Sequence, residues 1–244
     1  MNSSTYLLAG LASERERLQL QSRVWEPSGR RLLKQIGDGR GARAADIGCG
    51  VMGWLRLLSE WVGPDGGVVG IDIDDAMLAA ARRFVADAGL GNVVLRNDDL
   101  FAVRLEPTSF DLVHARFQLT PLGRGHEQME TYLRLLRPGG TVVLEDPDWG
   151  SWHFNRPARA CQKLIAFICE AFARWATPRL GASILSYFTA SALRATCGPR
   201  SWRSRRGIDT CVFPFNSPPP LRRGCSRSWT QATWSGCARM QRPS

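Results

Sequence analysis

Hydrophobic and polar positions between residues 43 and 147 follow two alternating periods. Short apolar runs, typical of buried strands, are separated by longer stretches whose apolar positions recur at helical spacing. This alternation predicts a parallel sheet with helices on both faces, an α/β doubly wound fold. The predicted strands are 43–47, 68–72, 93–96, 110–114 and 141–145, and the predicted helices between them are 53–62, 75–88 and 126–136.

Helical patterns also flank this alternating region. Residues 7–36 show helical spacing that Pro27 interrupts, which predicts one helix to about residue 25 and another over 28–36. Two further helices are predicted at 157–175 and 183–195. We therefore divide the chain into an N-terminal helical cover (1–42), a core with a helical insertion after the fifth strand (43–197), and a tail (198–244).

The tail differs from the rest of the chain in composition. Arginine, tryptophan, cysteine and proline dominate it, periodicity disappears, and only 208–215 has the pattern of a strand. Two interpretations remain open: a disordered basic tail, or a segment translated out of frame. Either makes the C-terminal edge strands of the sheet doubtful.

Charge and composition exclude several classes of protein. The net charge is +10, but residues 196–244 hold nine arginines and a single acid, Asp209, so the rest of the chain is nearly neutral. No nucleic-acid partner is therefore expected. No apolar run approaches the ~20 residues of a membrane span, and the first residues do not resemble a secretory signal, so a cytoplasmic location is expected. The histidines are scattered and no C-x-x-C pair occurs, so no metal site is predicted.

A glycine-rich turn after the first predicted strand is the strongest candidate for a binding site. Asp46 ends the strand, and Gly48 and Gly50 allow the backbone to approach a ligand closely. The next glycine, Gly53, completes the G-x-G-x-x-G spacing that dinucleotide-binding loops also show, and no Gly-Lys-Ser/Thr of a P-loop follows. The turn therefore predicts a nucleotide-like ligand.

Acidic residues end the next two predicted strands. Asp72 closes the second strand, where a carboxylate can accept hydrogen bonds from both hydroxyls of a ribose. Asp98 and Asp99 follow the third strand, where a carboxylate can accept from an adenine amine while the Leu100 N–H reaches a ring nitrogen. Asp99 is the first choice and Asp98 its rival, and turn formation is the alternative role of both.

Together these segments resemble the class I S-adenosylmethionine-dependent methyltransferases, and most closely the small-molecule branch of the ubiquinone/menaquinone-biosynthesis type. Their order and spacing agree over roughly residues 6–197. The segments are Asp46–Gly50, Gly70–Asp72, Asp98–Asp99, Ser109–Arg116 and Leu135–Gly140.

This resemblance implies S-adenosylmethionine as the cofactor and assigns the residues that bind it. Asp46 and the backbone from Gly48 through Cys49 to Gly50 would hold the methionine end, with Gly53 completing the loop. Asp72 would bind the ribose, Ile73 would pack on the adenine, and Asp98 or Asp99 with Leu100 would contact its edge. Ala115 and Arg116 would line the sulfonium end.

The sequence departs from the family pattern at two places. Met52 stands where many members have glycine, and Gly53 compensates by one step. The family's sheet normally finishes with two more strands, the last antiparallel, and residues 198–244 do not show that pattern.

Methyl transfer from a sulfonium is an in-line displacement that depends mainly on alignment. A general base is needed only where the acceptor must lose a proton, and His114 is the candidate; its alternative is a buried structural histidine. Arg116 either binds an acidic substrate or pairs with Glu145 or Asp146. Further candidates on the acceptor side are Asp146, Asp148, Trp149, Trp152 and Phe154.

The sequence thus predicts an enzyme that transfers a methyl group from S-adenosylmethionine to a small-molecule acceptor. Three alternatives are a cofactor-binding relic inactivated by its C-terminus, a nicotinamide-dependent oxidoreductase, and an RNA methyltransferase. The segment Pro138-Gly139-Gly140 before the fifth strand argues against the oxidoreductase. The location of the positive charge in the tail argues against the RNA enzyme.

Overall fold

A computed structural model describes residues 12–147, 159–173 and 208–214 of the chain. The predicted α/β doubly wound fold is confirmed. The helices are α1 (Ala12–Ile36), α2 (Leu55–Val62), α3 (Asp75–Asp87), α4 (Leu119–Leu122), α5 (Gly125–Leu135) and α6 (Arg159–Ala173). The strands are β1 (Arg43–Ile47), β2 (Gly67–Asp72), β3 (Val93–Asn97), β4 (Phe110–Arg116), β5 (Leu136–Pro147) and β6 (Ile208–Pro214).

The strands form one sheet in the order β3-β2-β1-β4-β5-β6. The first five are parallel, and β6 runs antiparallel to β5. The chain leaves β1 towards β2 on one side and returns to β4 on the other. The carboxyl ends of β1 and β4 therefore flank the point where the strand order reverses, which is where open α/β sheets bind their ligands.

Two apolar clusters bury the two faces of the sheet. One face packs against α4 and α5, with Ile47, Phe110 and Tyr132 in its centre. The other packs against α1, α2 and α3, with Trp54 and Leu58 in its centre. Both clusters include residues of β1, β2, β4 and β5, because these strands are covered on both sides.

The predicted break of the first helix at Pro27 is wrong: α1 is continuous from Ala12 to Ile36. Proline removes a single backbone donor, and tertiary contacts on both sides of it hold this helix. Glu26 accepts hydrogen bonds from Arg30 within α1 and from Arg56 on α2. Leu32 on the following turn is buried against α2.

Strand β5 begins earlier than its pattern predicts. The prediction places residues 137–140 in a loop, yet the strand starts at Leu136, which pairs with Phe110. The register then shifts between Phe110 and Leu112, and Gly139 has a φ of +85°. Two glycines absorb this irregularity, so the sequence there has the composition of a turn although the chain stays in the sheet.

The tail contributes one strand to the sheet. The candidate strand at residues 208–215 is found as β6, in antiparallel register with Thr141–Pro147. It occupies the edge beside β5, so its backbone covers one side of that strand. The predicted helix at 183–195 lies outside the described residues.

No helix among the described parts of the chain is long and apolar enough to cross a bilayer.

The N-cap of α3 allows a first prediction. The Asp74 carboxylate accepts from the backbone N–H groups of Ala76 (2.8 Å) and Met77 (3.2 Å). Asp74→Ala should lower the free energy of unfolding by about 1 kcal/mol in urea denaturation, whereas Asp74→Ser, which keeps a capping oxygen, should cost less than half of that. Equal costs for the two variants would contradict the capping role.

Candidate functional site

The loop between β1 and α2 needs glycine at three positions. Gly48, Gly50 and Gly53 have φ values of +66°, +55° and +40°. This left-handed region is costly for residues with a Cβ. At Gly53 the cost is steric as well, since a Cβ there would overlap the Asp46 carboxylate. The loop therefore turns tightly around the end of β1.

Neighbouring strands hold this loop along its length. The loop's own backbone N–H groups are the donors, and the acceptors lie on β1 and β2. The N–H groups of Cys49, Gly50 and Trp54 donate to the carbonyl of Ile71 (2.9 Å), to Oδ2 of Asp72 (2.8 Å) and to Oδ2 of Asp46 (2.7 Å). The sheet itself thus fixes the shape of the loop.

Asp72 lies at the carboxyl end of β2, beside the loop, as the sequence indicates. Its other oxygen, Oδ1, accepts from the Asp74 N–H at 2.9 Å. Burial raises the pKa of the Asp72 carboxyl, and the backbone donors of Asp74 and Gly50 oppose that rise. Each oxygen keeps a second lone pair, so the carboxylate can still accept from a diol.

Ile73 follows directly and is 53% exposed, which is unusual for a large aliphatic side chain next to a buried strand. It lies on the ligand side of β2, next to Asp72. An exposed apolar side chain at this position provides a surface on which a flat apolar ring can pack.

The two acids after β3 have different surroundings. Asp98 is buried, and its carboxylate accepts from the backbone N–H of Arg104 (2.9 Å) and from its guanidinium Nε (3.2 Å). Asp99 is only partly buried, and one of its oxygens accepts from the Phe101 N–H at 2.9 Å. Leu100 is buried in the core, so only its backbone can face a ligand. The Asp98 carboxylate is thus hydrogen-bonded to other groups of the protein, whereas Asp99 has an oxygen that can accept a hydrogen bond from a ligand.

Asp46 does not lie where it can contact a ligand directly. Its side chain is about 1% exposed, and both oxygens have partners: Trp54 N–H on one side and Nδ1 of His114 (2.8 Å) on the other. The Cys49 side chain is buried too, and burial raises the pKa of its thiol well above the usual value. Both residues shape the loop, and its backbone is what faces outwards.

The end of β4 corrects three expectations. His114 is fully buried, with both ring nitrogens next to carboxylates, a position that does not suit a general base for an acceptor. Ala115 is buried in the core cluster, so its side chain does not line an open site. Arg116 donates to the Ser22 hydroxyl (3.0 Å) and lies 4.0 Å from Glu145. It is therefore held by the protein, as its alternative role predicted.

Gln118 is a further candidate, which no pattern in the sequence had indicated. Phe117 has a φ of +54°, a strained value for an aromatic residue. The turn it makes brings the Gln118 side-chain amide against Gly48, where a Cβ would overlap it. A ligand that enters over Gly48 meets this amide first.

The N-terminal helix covers the other side of the loop. Leu18 of α1 lies close to Gly50 and packs with Val51, Met52 and Met77 in a small apolar cluster. Met52 is buried there. The residue that departs from the family's glycine pattern thus serves as a contact for α1.

Four of the acceptor-side candidates, Asp148, Trp149, Trp152 and Phe154, lie outside the described residues. The fifth, Asp146, is buried, and its Oδ2 accepts from the backbone N–H of Leu119 at 3.3 Å.

The chain is similar to known methyltransferases. Residues 44–140 match a family model described as a methyltransferase domain. Over 123 residues the chain is 35% identical to proteins named demethylmenaquinone methyltransferase from Staphylococcus aureus strains JH9 and Newman. The aligned part is 50% of this chain and 49% of each relative, so the chain spans about half the length of the curated relatives it matches.

Solved structures share the fold. A SAM-dependent methyltransferase from Aquifex aeolicus superposes with a TM-score of 0.64 at 18% identity, covering 83% of this chain and 97% of that one. A phosphoethanolamine N-methyltransferase 2 from Haemonchus contortus, in complex with S-adenosyl-L-methionine, gives 0.59 at 15% identity, covering 78% and 53%. The resemblance to class I methyltransferases of the quinone-biosynthesis type is confirmed.

Proposed function

We propose that this chain, with its methyltransferase domain at residues 44–140, transfers a methyl group from S-adenosylmethionine to a small-molecule acceptor. The names of its relatives and structural neighbours support the reaction, and those of the neighbours also support the cofactor. The acceptor class rests on the relatives whose names denote a quinone precursor as substrate.

One observation carries the proposal: the hydrogen bond from the Gly50 N–H to Asp72 at the point where the strand order reverses. It joins a tight glycine turn to a carboxylate whose oxygens can each accept a further hydrogen bond. At Gly50 a Cβ would meet nothing closer than Leu18, at 3.9 Å, so the backbone there can be approached closely, and the carboxylate suits a ribose diol. These two features together fit a nucleoside whose substituent extends over the loop.

The remaining cofactor contacts follow the order of the strands. We assign the ribose to Asp72, the apolar face of the adenine to Ile73, and the adenine edge to Asp99 with the Leu100 N–H. Asp98 is assigned a structural role because Arg104 already occupies its carboxylate. The backbone of Gly48–Gly53 and the amide of Gln118 are assigned to the methionine end.

The cofactor, when bound, supplies an electrophilic methyl group on a positively charged sulfur. The protein's contribution is to align the two reactants and exclude water from them. Helix α1 serves the second task, because its Leu18 packs on Met52 of the loop and covers it with apolar surface. We assign no proton transfer to His114, because its side chain is buried between two carboxylates.

Calorimetry with S-adenosylhomocysteine tests the cofactor assignment. The intact chain should bind it, and Asp72→Ala should bind at least about tenfold more weakly, because a charge-assisted hydrogen bond is lost. Asp87→Ala is the matched control, since Asp87 is an exposed acid at the far end of α3 and should leave the affinity unchanged. Absence of binding by the intact chain, or an unchanged affinity in Asp72→Ala, would contradict the assignment.

A titration with NADH, followed by nicotinamide fluorescence, separates the proposal from the oxidoreductase alternative. The expected result is no change in that fluorescence. Turnover is then measured as S-adenosylhomocysteine released in the presence of small quinol and phenol acceptors. Cofactor binding without release over the whole acceptor panel would contradict the acceptor class.

A further inference from the structure

A row of charged side chains crosses the interior of the sheet beneath the loop. The His114 imidazole lies between two carboxylates, with Nδ1 2.8 Å from Oδ1 of Asp46 and Nε2 3.2 Å from Oε2 of Glu145. These three side chains are at most about 2% exposed. Arg116 ends the row, 4.0 Å from the same oxygen of Glu145.

With both carboxyl groups ionised, this geometry requires a proton on each ring nitrogen of His114. An ionised carboxylate can only accept hydrogen bonds, so a ring nitrogen that faces one must carry a hydrogen. Both ring nitrogens of His114 face a carboxylate, and the imidazole can donate to both only as the imidazolium. The row then holds two negative and two positive charges, which balance one another in a buried place where an unpaired charge is very costly.

The face of the ring has a partner that also suits a cation. The Trp54 indole stacks on His114 with ring centroids 4.0 Å apart and planes 13° apart. An indole attracts a cation over its face. Trp54 is the residue whose backbone N–H donates to Asp46, so its ring and its backbone both hold it to the row.

The row also reaches the helix that covers the loop. Arg116 donates to the Ser22 hydroxyl of α1 at 3.0 Å. The chain of contacts therefore runs from the exit of the glycine loop, through His114 and Glu145, to α1. These contacts connect four elements, namely β1, β4, β5 and α1.

We propose that His114 is a positioning residue, a buried imidazolium that fixes the exit of the cofactor loop and connects it, through Glu145 and Arg116, to the covering helix α1. The effect on ligand affinity rests on the proposed function. The charge state of His114 does not, so the two parts are tested separately.

The pKa of His114 agrees in direction with this role. Burial by itself lowers it, but Asp46 and Glu145 together raise it above the ordinary value for histidine. A raised pKa in the folded state means that the pairing contributes its full stabilisation below about pH 6.5 and loses it as the pH rises through the folded value. Among the described residues, the charged groups hydrogen-bonded to the ring are Asp46 on β1 and Glu145 on β5.

Nitrogen-15 NMR of the histidine side chains tests the charge state directly. The chain has only three histidines, so the variant His126→Asn with His153→Asn leaves His114 as the sole imidazole. At about pH 7.5, one unit above the ordinary histidine pKa, both ring nitrogens should show the shift of the protonated form. Two different nitrogen shifts, the pattern of a neutral tautomer, would overturn the proposal, whether or not the protein binds a cofactor.

Glu145→Gln tests the positioning effect while preserving the shape of the side chain. S-adenosylhomocysteine affinity is measured by calorimetry between about pH 6 and 9. Affinity of the unmodified chain should fall as pH rises through the His114 pKa, and in Glu145→Gln this fall should move to lower pH because one of the two carboxylate charges is lost. Near pH 8 the variant should bind roughly ten- to a hundredfold more weakly.

Glu106→Gln is the matched control, since Glu106 is an exposed acid before β4, and its profile should coincide with that of the unmodified chain. Changes in the protonation of S-adenosylhomocysteine itself affect the unmodified chain and both variants equally. A fall that stays at the same pH in Glu145→Gln would overturn the positioning role. If the unmodified chain does not bind, the proposed function fails, and the NMR experiment still decides the charge state.

Discussion

Gly53→Ala should lower the free energy of unfolding by more than about 3 kcal/mol and abolish S-adenosylhomocysteine binding. The residue has a φ of +40°, which alone costs an alanine about 1–2 kcal/mol. Its Cβ would also overlap the Asp46 carboxylate and lie 2.7 Å from the Cys49 carbonyl oxygen, both of them buried and fixed. Relief requires moving the loop away from β1, and that breaks the Trp54 N–H bond to Asp46.

Gly41→Ala is the matched control for this substitution. Gly41 has a φ of +76°, yet nothing lies within 4 Å of the Cβ that alanine would add. The Gly41→Ala variant should lose only the conformational part of the free energy of unfolding, about 1–2 kcal/mol, and should bind S-adenosylhomocysteine as tightly as the unmodified chain. Urea unfolding measures both proteins, and equal losses would show that the loop does not approach Asp46 closely.

The periodicity of the chain predicted the fold because each strand is locally apolar and each helix locally amphipathic. It failed where a local pattern and a tertiary contact disagree. Pro27 is locally a helix breaker, but contacts from Arg56 and the burial of Leu32 hold the helix on both sides. Pro138 and Gly139 are locally a turn, but the pairing of Leu136 with Phe110 keeps them in β5.

The candidate site was predictable where one residue acts through its place on a single strand. Asp72 and the glycines follow directly from the ends of β2 and β1. The row of His114, Asp46 and Glu145 was not predictable, because it depends on register. Asp46 pairs with His114 across β1 and β4, and Arg116 pairs with Glu145 across β4 and β5. A sequence without its fold does not contain those pairings.

The choice between Asp98 and Asp99 depends on similar information. Both follow β3 and both suit a turn, so the sequence alone leaves them as rivals. Arg104, six residues further along, turns back and binds the Asp98 carboxylate. This contact favours Asp99 for the adenine edge. Asp99→Ala should therefore weaken cofactor binding with little loss of unfolding free energy, whereas Asp98→Ala should mainly lower the unfolding free energy.

Asp46→Ala should be among the most destabilising substitutions in the chain, with a loss of about 3–5 kcal/mol. It removes the acceptor of the Trp54 N–H and leaves the buried His114 with one carboxylate instead of two. For a chain of this length the midpoint of thermal unfolding should fall by roughly 10 °C. Asp87→Ala, which removes an exposed acid, should stay within about 0.5 kcal/mol of the unmodified chain.

Asp46→Asn separates the charge of Asp46 from its shape. Its oxygen can still accept from Trp54, but its amide NH₂ then faces Nδ1 of His114, an arrangement that is favourable only when His114 is neutral. Since the unmodified chain loses the imidazolium's stabilisation as pH rises, the difference in unfolding free energy between the two proteins should narrow from about pH 6 to pH 9. A difference independent of pH would mean that Asp46 acts on the loop through its shape alone and that His114 does not need its charge.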